Sequence, residues 1–206
     1  MNLLMFDFDG VIADSLDWFN INFHNSCVEL GYNLFEDKET FIRLLDNNLF
    51  EAMISSGVNQ KDITPIFDNL HKKLKRERHL INLFDGIVDM LNSLAKEFPV
   101  YIITSNISDV VSSILDKNGV KGIRDVIGSD KNPSKVEKMK SKIAEYPNHI
   151  PYYTGDTKGD IIEARIANSK TVGVDWGWHG TQSLSEENPD YIAMNIPELQ
   201  KILSQN

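Results

Sequence analysis

A single cysteine, Cys27, in 206 residues leaves no partner for an intramolecular disulfide. That excludes the cross-linked framework of a small secreted protein and favours a reducing compartment. Long hydrophobic runs are also missing. The apolar start Met1-Asn2-Leu3-Leu4-Met5-Phe6 has no basic flank and meets Asp7 too soon for a signal peptide or a membrane span, so a cytoplasmic location with no membrane partner is expected. Positive charge is scarce: 21 Lys and Arg stand against 30 Asp and Glu, a net charge of -9. A molecule of that sign repels a phosphate backbone, and nucleic acid is not an expected partner. With 12 glycines, 7 prolines and no internal repeat, collagen-like and low-complexity chains are excluded too. What remains, 41% hydrophobic and 25% charged residues, is the composition of a folded globular domain, or of one domain with a sizeable insertion.

Periodicity divides the chain into two kinds of territory. Residues 3–8 form a short apolar run closed by Asp9-Gly10, as expected of a strand buried on both faces that ends in a tight turn. From there to about residue 80 only helical spacing occurs, in Phe19, Phe23, Cys27 and Leu30, then Phe41, Leu44, Leu45 and Leu49, then Ile63, Ile66, Phe67, Leu70 and Leu74. Gly31 and Gly57 punctuate the first two helices, and Pro65 is expected in the first turn of the last, where proline is tolerated. After Asp85-Gly86 helix and strand alternate. Strands are expected at 100–104, 123–128, 152–155, 171–175 and 191–194, with helices at 87–94, 110–119, 135–143 and 160–167 and a last one after Pro197. Such alternation predicts an α/β fold, a doubly wound parallel sheet with ligands at the carboxyl ends of its strands. Residues 1–15 and 81–206 would form this Rossmann-like core, and residues 16–80 a helical insertion after its first strand.

The polar residues at the expected strand ends carry the chemistry. Asp7 and Asp9 are two apart, so both carboxylates project to one side if strand geometry persists. Two like charges at the rim of an apolar core raise each other's pKa unless a cation or an array of donors offsets them, and a hard divalent cation is the simplest solution. The second run ends in Thr104-Ser105-Asn106 before a helix, a natural cradle for an oxyanion or phosphate. Gly155-Asp156-Thr157-Lys158-Gly159-Asp160 brings two more carboxylates to the same edge, and Lys135, opening a helix, brings a cation.

These motifs resemble those of the haloacid dehalogenase-like (HAD) phosphohydrolase superfamily, in the subgroup with a helical cap inserted after the first strand, and of its phosphoglycolate-phosphatase-like members. The resemblance covers essentially the whole chain. Phe6-Asp7-Phe8-Asp9-Gly10-Val11-Ile12-Ala13-Asp14-Ser15 resembles the superfamily's DxDGVxxDS signature, and Gly155-Asp156-Thr157 with Asp160 resembles GDTxxD. Thr104 is preferred to Ser105 as the hydroxyl residue because Gly119 sits where related sequences end the following helix. For the motif lysine two candidates stand, Lys135 in Pro133-Ser134-Lys135-Val136 and Lys131 in Lys131-Asn132-Pro133.

The resemblance implies a Mg2+-dependent phosphatase acting on a small phosphorylated metabolite. Asp7 would be the nucleophile that forms an aspartyl-phosphate, and Asp9 the general acid and then base. Mg2+ would be held by the Asp7 and Asp156 carboxylates and the Asp9 backbone carbonyl, with Asp160 supporting them or serving as an alternative ligand. Thr104 would be catalytic together with Lys135, which balances charge in the transition state, while Gly10, Ser105 and Asn106 would bind the phosphoryl group. A phosphomutase keeps every one of these motifs, and a non-catalytic phosphate-binding module keeps the fold. Intact Asp7 and Asp9 favour turnover. A dehalogenase leaves Asp9, Asp156 and Asp160 unexplained, and a phosphonate-cleaving enzyme needs a Schiff-base lysine in the cap for which Lys38, Lys61 and Lys72 to Lys75 offer no pattern.

Other features have plainer readings beside functional ones. The basic run His71-Lys72-Lys73-Leu74-Lys75-Arg76-Glu77-Arg78-His79 reads first as a solvated helix face and secondarily as a surface that attracts an anionic substrate. Cys27 falls on an apolar stripe and is a core candidate. Trp176-Gly177-Trp178-His179 either lines the pocket or packs at the sheet edge. The sequon Asn106-Ile107-Ser108 lies at a strand end and carries no glycan. Neither the particular phosphoester nor the oligomeric state is encoded in a readable motif.

Overall fold

A strand of uninterrupted apolar residues must be covered on both faces. In the computed structural model, which describes residues 1–46 and 49–205, β1 (Asn2–Phe6) is buried throughout. Its side chains alternate between two cores: Leu4 and Phe6 face one, Leu3 and Met5 the other. Beyond Phe6 the chain turns sharply, with Ile12 and Ala13 donating to the Phe8 carbonyl and Gly10 donating to that of Ala13. The strand therefore ends before Asp7 rather than running to residue 8.

The order that follows is β2 (Ala13–Asp14), α1 (Leu16–Val28), α2 (Lys38–Arg43), α3 (Leu49–Ser55), α4 (Gln60–Glu77), a short turn of 3-10 helix and β3 (Asn82–Leu83). Next come α5 (Ile87–Leu94), β4 (Val100–Ile103), α6 (Ser108–Lys117), β5 (Asp125–Ile127), α7 (Lys135–Glu145) and β6 (Ile150–Gly155). The chain closes with α8 (Lys158–Ile166), β7 (Lys170–Val174), α9 (Gly180–Ser185), β8 (Tyr191–Ala193) and α10 (Ile196–Leu203).

Six strands form one parallel sheet in the order β5-β4-β1-β6-β7-β8, the doubly wound α/β arrangement that the alternation predicts. Strand β1 is flanked by β4 on one side and β6 on the other, so the winding reverses at β1 and a crevice opens at the carboxyl ends of these three strands. Residues of α5, α6 and α10 cover one face, and those of α7 and α8 the other. Among the described residues no helix is long and apolar enough to cross a membrane.

The helices α1 to α4 lie between β2 and β3, which pair antiparallel through Ala13 with Leu83 and Asp14 with Asn82. That short ladder holds the two ends of the helical segment side by side. The helices enclose an apolar cluster of their own that includes Phe23, Cys27, Phe41, Met53, Ile66 and Leu70. Leu74, one turn further along α4, enters the core against the sheet instead. Pro65 departs from expectation. α4 begins at Gln60, so Pro65 sits beyond its first turn, where the proline leaves the carbonyl of exposed Lys61 free to face solvent. Gly31 (φ 89°) and Gly57 (φ 100°) do terminate α1 and α3, in the left-handed conformation that glycine adopts without strain. Strand boundaries shift by one to two residues elsewhere: β5 starts at Asp125 and β6 at Ile150. In the basic run Leu74 is buried, Lys73 pairs with Glu29 at 2.9 Å, and Lys72, Lys75, Arg76, Arg78 and His79 are exposed.

Candidate active site

The crevice at β1, β4 and β6 gathers the acids. Asp7 follows β1 and is 7% exposed; its backbone N–H donates to the Thr154 carbonyl at 2.8 Å, which extends the sheet ladder by one bond and fixes the side chain's origin. Its Oδ1 accepts from the Phe8 amide at 2.8 Å and its Oδ2 from Lys135 Nζ at 2.7 Å. Lys135 opens α7 behind the N-cap of Ser134, and the same Nζ donates to Asp160 Oδ1 at 2.7 Å. The two lysine candidates are thereby separated in space. Lys131 lies on the surface, bonded to Asp125 and to the Val126 carbonyl.

Asp156 and Asp160 arrive from the end of β6 and the start of α8. Asp160 is 1% exposed and completes a capping box with Thr157: its Oδ2 accepts from the Thr157 amide at 3.1 Å and hydroxyl at 2.8 Å, and its backbone N–H donates back to Thr157 Oγ1. Asp156 Oδ2 accepts from the Trp178 amide at 2.7 Å. Asp7, Asp156 and Asp160 each place a carboxylate oxygen within 4.8 Å of the others. Glycine makes the crowding possible. Gly10 has φ +75°, and a Cβ there would stand 2.0 Å from Asp156 Oδ2; one on Gly177 would stand 2.2 Å from Asp156 Cβ.

The Asp9 carboxylate is not part of that triad. Its Oδ1 accepts from Ser15 Oγ at 2.8 Å and its Oδ2 from Asn106 Nδ2 at 3.1 Å. Asn106 is thus committed to Asp9 by its amide group, with its own backbone N–H donating to Thr104 Oγ1 at 3.0 Å, while Ser105 is exposed at the mouth. Thr104, 1% exposed, is held from behind by Lys138, whose Nζ donates to its carbonyl at 2.6 Å.

Electrostatics follow from burial. Burial, helped by Asp160, holds the Asp7 carboxyl above its ordinary range against the pull of Lys135. Asp156 is pushed well up, again by burial first and then by Asp160 and Asp7. Burial and the neighbouring Asp7 push Asp9 up to about 7. Burial acts on Asp160 as well, but there the attraction and hydrogen bond of Lys135 win and the group lies low. Lys135 is held well above its usual value because Asp160 and Asp7 together overcome its burial. Burial and the proximity of Lys135 bring Lys138 down to about 8. Three buried hard-oxygen donors with one lysine between them leave negative charge uncompensated, which suits a divalent cation such as Mg2+.

Several contributors had no signal in the sequence. Lys138 and Tyr153, whose hydroxyl reaches the Ile103 carbonyl at 3.2 Å and Asp160 at 3.3 Å, belong to types common on helices and strands. Asp130 fixes the loop after β5 by accepting from the Ser108 amide at 2.7 Å and hydroxyl at 2.9 Å. The aromatic loop does reach the crevice edge: Trp176 donates to the Val11 carbonyl, and Trp178 packs between Phe19 and Phe41.

Residues 4–174 match the family model of the haloacid dehalogenase-like hydrolases. The chain is 24% identical to a pyrophosphatase PpaX of Bacillus pumilus, over 98% of this chain and 96% of that protein. It is also 24% identical to a phosphoglycolate phosphatase of Vibrio parahaemolyticus, over 99% and 96%. Among solved structures, a predicted phosphatase from Clostridium acetobutylicum superimposes with a TM-score of 0.84 at 21% identity, covering 98% of this chain and 97% of that one.

Proposed function

The chain belongs to the haloacid dehalogenase-like hydrolase family, and from that premise we propose that it is a Mg2+-dependent phosphatase of a small phosphorylated metabolite. The observation that carries this is the grip of Lys135 on Asp7, with Asp156 and Asp160 alongside. In such a site the carboxylate to be used as nucleophile is held in place, its charge is partly offset, and room for a cation lies beside it. The relatives' names, phosphoglycolate phosphatase and pyrophosphatase, point to small anionic phosphoryl compounds as the substrate class. A single buried cysteine suits a reducing cytoplasm.

Asp7 attacks phosphorus with one carboxylate oxygen while Lys135 opposes the charge that builds on the phosphoryl oxygens. Asp7 and Asp156 would hold the Mg2+, joined by the Asp9 backbone carbonyl; when bound, the ion would neutralise phosphoryl charge as a Lewis acid. Asp160, already spent on Lys135 and Thr157, positions the lysine. Asp9, poised about neutrality, gives its proton to the departing oxygen and then takes one from the water that hydrolyses the aspartyl-phosphate. Ser15 and Asn106 aim that carboxyl. Thr104 Oγ1, fixed by the Asn106 amide, stands with the backbone at Ser105 to receive phosphoryl oxygens, and Gly10 keeps the floor of the site open.

Residues 16–80 act as the cap and residues 1–15 with 81–206 as the catalytic core, the cap excluding bulk water and selecting the leaving group. Phosphate release from phosphoglycolate, pyrophosphate, sugar phosphates and nucleoside monophosphates, with Mg2+ or EDTA, tests the proposal. Release that needs Mg2+ supports it; no release from any of them with Mg2+ present overturns it.

A further inference from the structure

The catalytic steps leave one buried cation without a role. Lys138 stands one turn beyond Lys135 on α7 and is 2% exposed. Its Nζ donates to the Thr104 carbonyl at 2.6 Å and, among the described residues, meets no other acceptor and pairs with no carboxylate. A buried ammonium held by one neutral oxygen is costly, because interior charges are normally paired. Four charged groups act on it. Lys135 on its own helix repels it, while Asp7 after β1, Glu163 on α8 and Asp130 after β5 attract it; burial and Lys135 prevail and bring it down to about 8.

What this grip controls is a peptide plane. Thr104 is pinned at every polar atom: its N–H donates to the Ile127 carbonyl at 3.2 Å, its Oγ1 accepts from the Asn106 amide at 3.0 Å, and its carbonyl accepts from Lys138. The peptide between Thr104 and Ser105 is trans, so its N–H, that of Ser105, points opposite to the carbonyl that Lys138 holds. That N–H is thereby aimed away from Lys138, and it has no acceptor among the described residues. We infer that Lys138 is a positioning residue for the phosphoryl group: by gripping the Thr104 carbonyl it fixes the Ser105 N–H as a donor to a phosphoryl oxygen, and it adds a second buried positive charge beside Lys135. This rests on the phosphatase reading. A dianion bound at Thr104 and Ser105 supplies the negative charge that the lone ammonium lacks, and so favours its protonated form.

Tungstate, a tetrahedral dianion with no proton to exchange near pH 8, probes the site without turnover. Titration calorimetry with Mg2+ at about pH 8, in two buffers of different ionisation enthalpy, gives its affinity and the protons taken up on binding. Lys138→Met should bind tungstate about tenfold or more weakly, the effect of losing a donor and its charge. The wild-type protein should take up as much as about half a proton more than Lys138→Met, because a group near 8 is half charged at that pH. Lys138→Arg keeps its charge at any pH, so it should hold the wild-type affinity to within about threefold and lose the extra uptake. A lysine that serves packing alone moves neither quantity in a folded variant. A loss below about tenfold in Lys138→Met, no rescue by arginine, or uptake that Lys138→Met keeps in full overturns the inference, as does a wild-type protein that binds no tungstate. Lys138→Gln repeats the comparison if the Met variant fails to fold, as judged by its urea transition. Because the readout is binding, a failure of the phosphatase reading appears separately, as no phosphate release by the wild-type protein.

Discussion

Lys135 Nζ stands 2.7 Å from Asp7 Oδ2, and a second acid, Asp160, is bound to the same nitrogen at 2.7 Å. One ammonium thus balances two buried carboxylates, one contributed by the end of β1 and the other by the first turn of α8. Removing it strands both charges. Lys135→Met is expected to cut phosphate turnover by about 100-fold, the scale of losing one preorganised electrostatic contact. It should also lower stability at neutral pH by about 3 kcal/mol or more, as breaking one side of a buried ion pair does. Steady-state kinetics and urea unfolding measure the two losses; a variant with wild-type turnover contradicts the role given to the lysine.

The Asp9 carboxyl, pushed up to about 7 by burial and by Asp7, makes the metal-free protein sensitive to pH. Its unfolded value is near 3.8, so between about pH 4 and about pH 7 the folded state binds more protons than the unfolded one. Stability then falls as pH rises through that window, and the raised Asp7 and Asp156 act in the same direction. Urea unfolding in EDTA should show this slope, with a shallower one in Asp9→Asn. Mg2+, which favours the ionised acids, should flatten it. A stability that rises with pH across the window contradicts the assignment.

Gly10→Ala meets two obstacles at once, a positive φ and a Cβ that would fall 2.0 Å from Asp156 Oδ2. Asp156 must move. Mg2+ affinity should drop by about tenfold or more, with destabilisation of about 1–3 kcal/mol from the backbone strain. Calorimetric Mg2+ titration and urea unfolding read these effects, and wild-type Mg2+ affinity in the variant contradicts the close-approach explanation.

Cys27 is fully buried in the cluster of α1 to α4, and burial pushes its thiol up to about 11. At mildly alkaline pH the native protein should resist a thiol reagent such as Ellman's, reacting only as fast as these helices open, and should react at once in urea. Rapid labelling of the native protein would show that the cluster is open in solution.

The sheet was legible because its strands are short apolar runs separated by helical periods, a pattern with few other solutions. Two-residue β2 and β3 are too short to carry a period, and α9, with Leu184 as its one buried residue, offers no apolar stripe. Pro65 falls beyond the expected first turn because α4 starts from Asn59, whose extended backbone begins the helix before any apolar residue appears. In the site, the acids stood out because Asp7, Asp9 and Asp156 follow buried strands where charge needs a reason. Their supports did not. Lys138 looks like any helix lysine until its Nζ is found on the Thr104 carbonyl, and Asn106 looks like a ligand group until its amide is found on Asp9. Which carboxylate meets which cation depends on contacts across some 25 to 128 residues of chain, as for Lys135 with Asp160 and Asp7, and local pattern holds no record of them.

The role of Asp7 as nucleophile has a direct test. The wild-type protein is mixed with Mg2+ and phosphoglycolate, or whichever phosphate compound it turns over, quenched in acid during turnover, digested and mapped by mass spectrometry. A phosphoryl group on the peptide bearing Asp7, absent from the Asp7→Asn protein along with phosphate release, is the predicted result. Sustained Mg2+-dependent phosphate release by Asp7→Asn would contradict it.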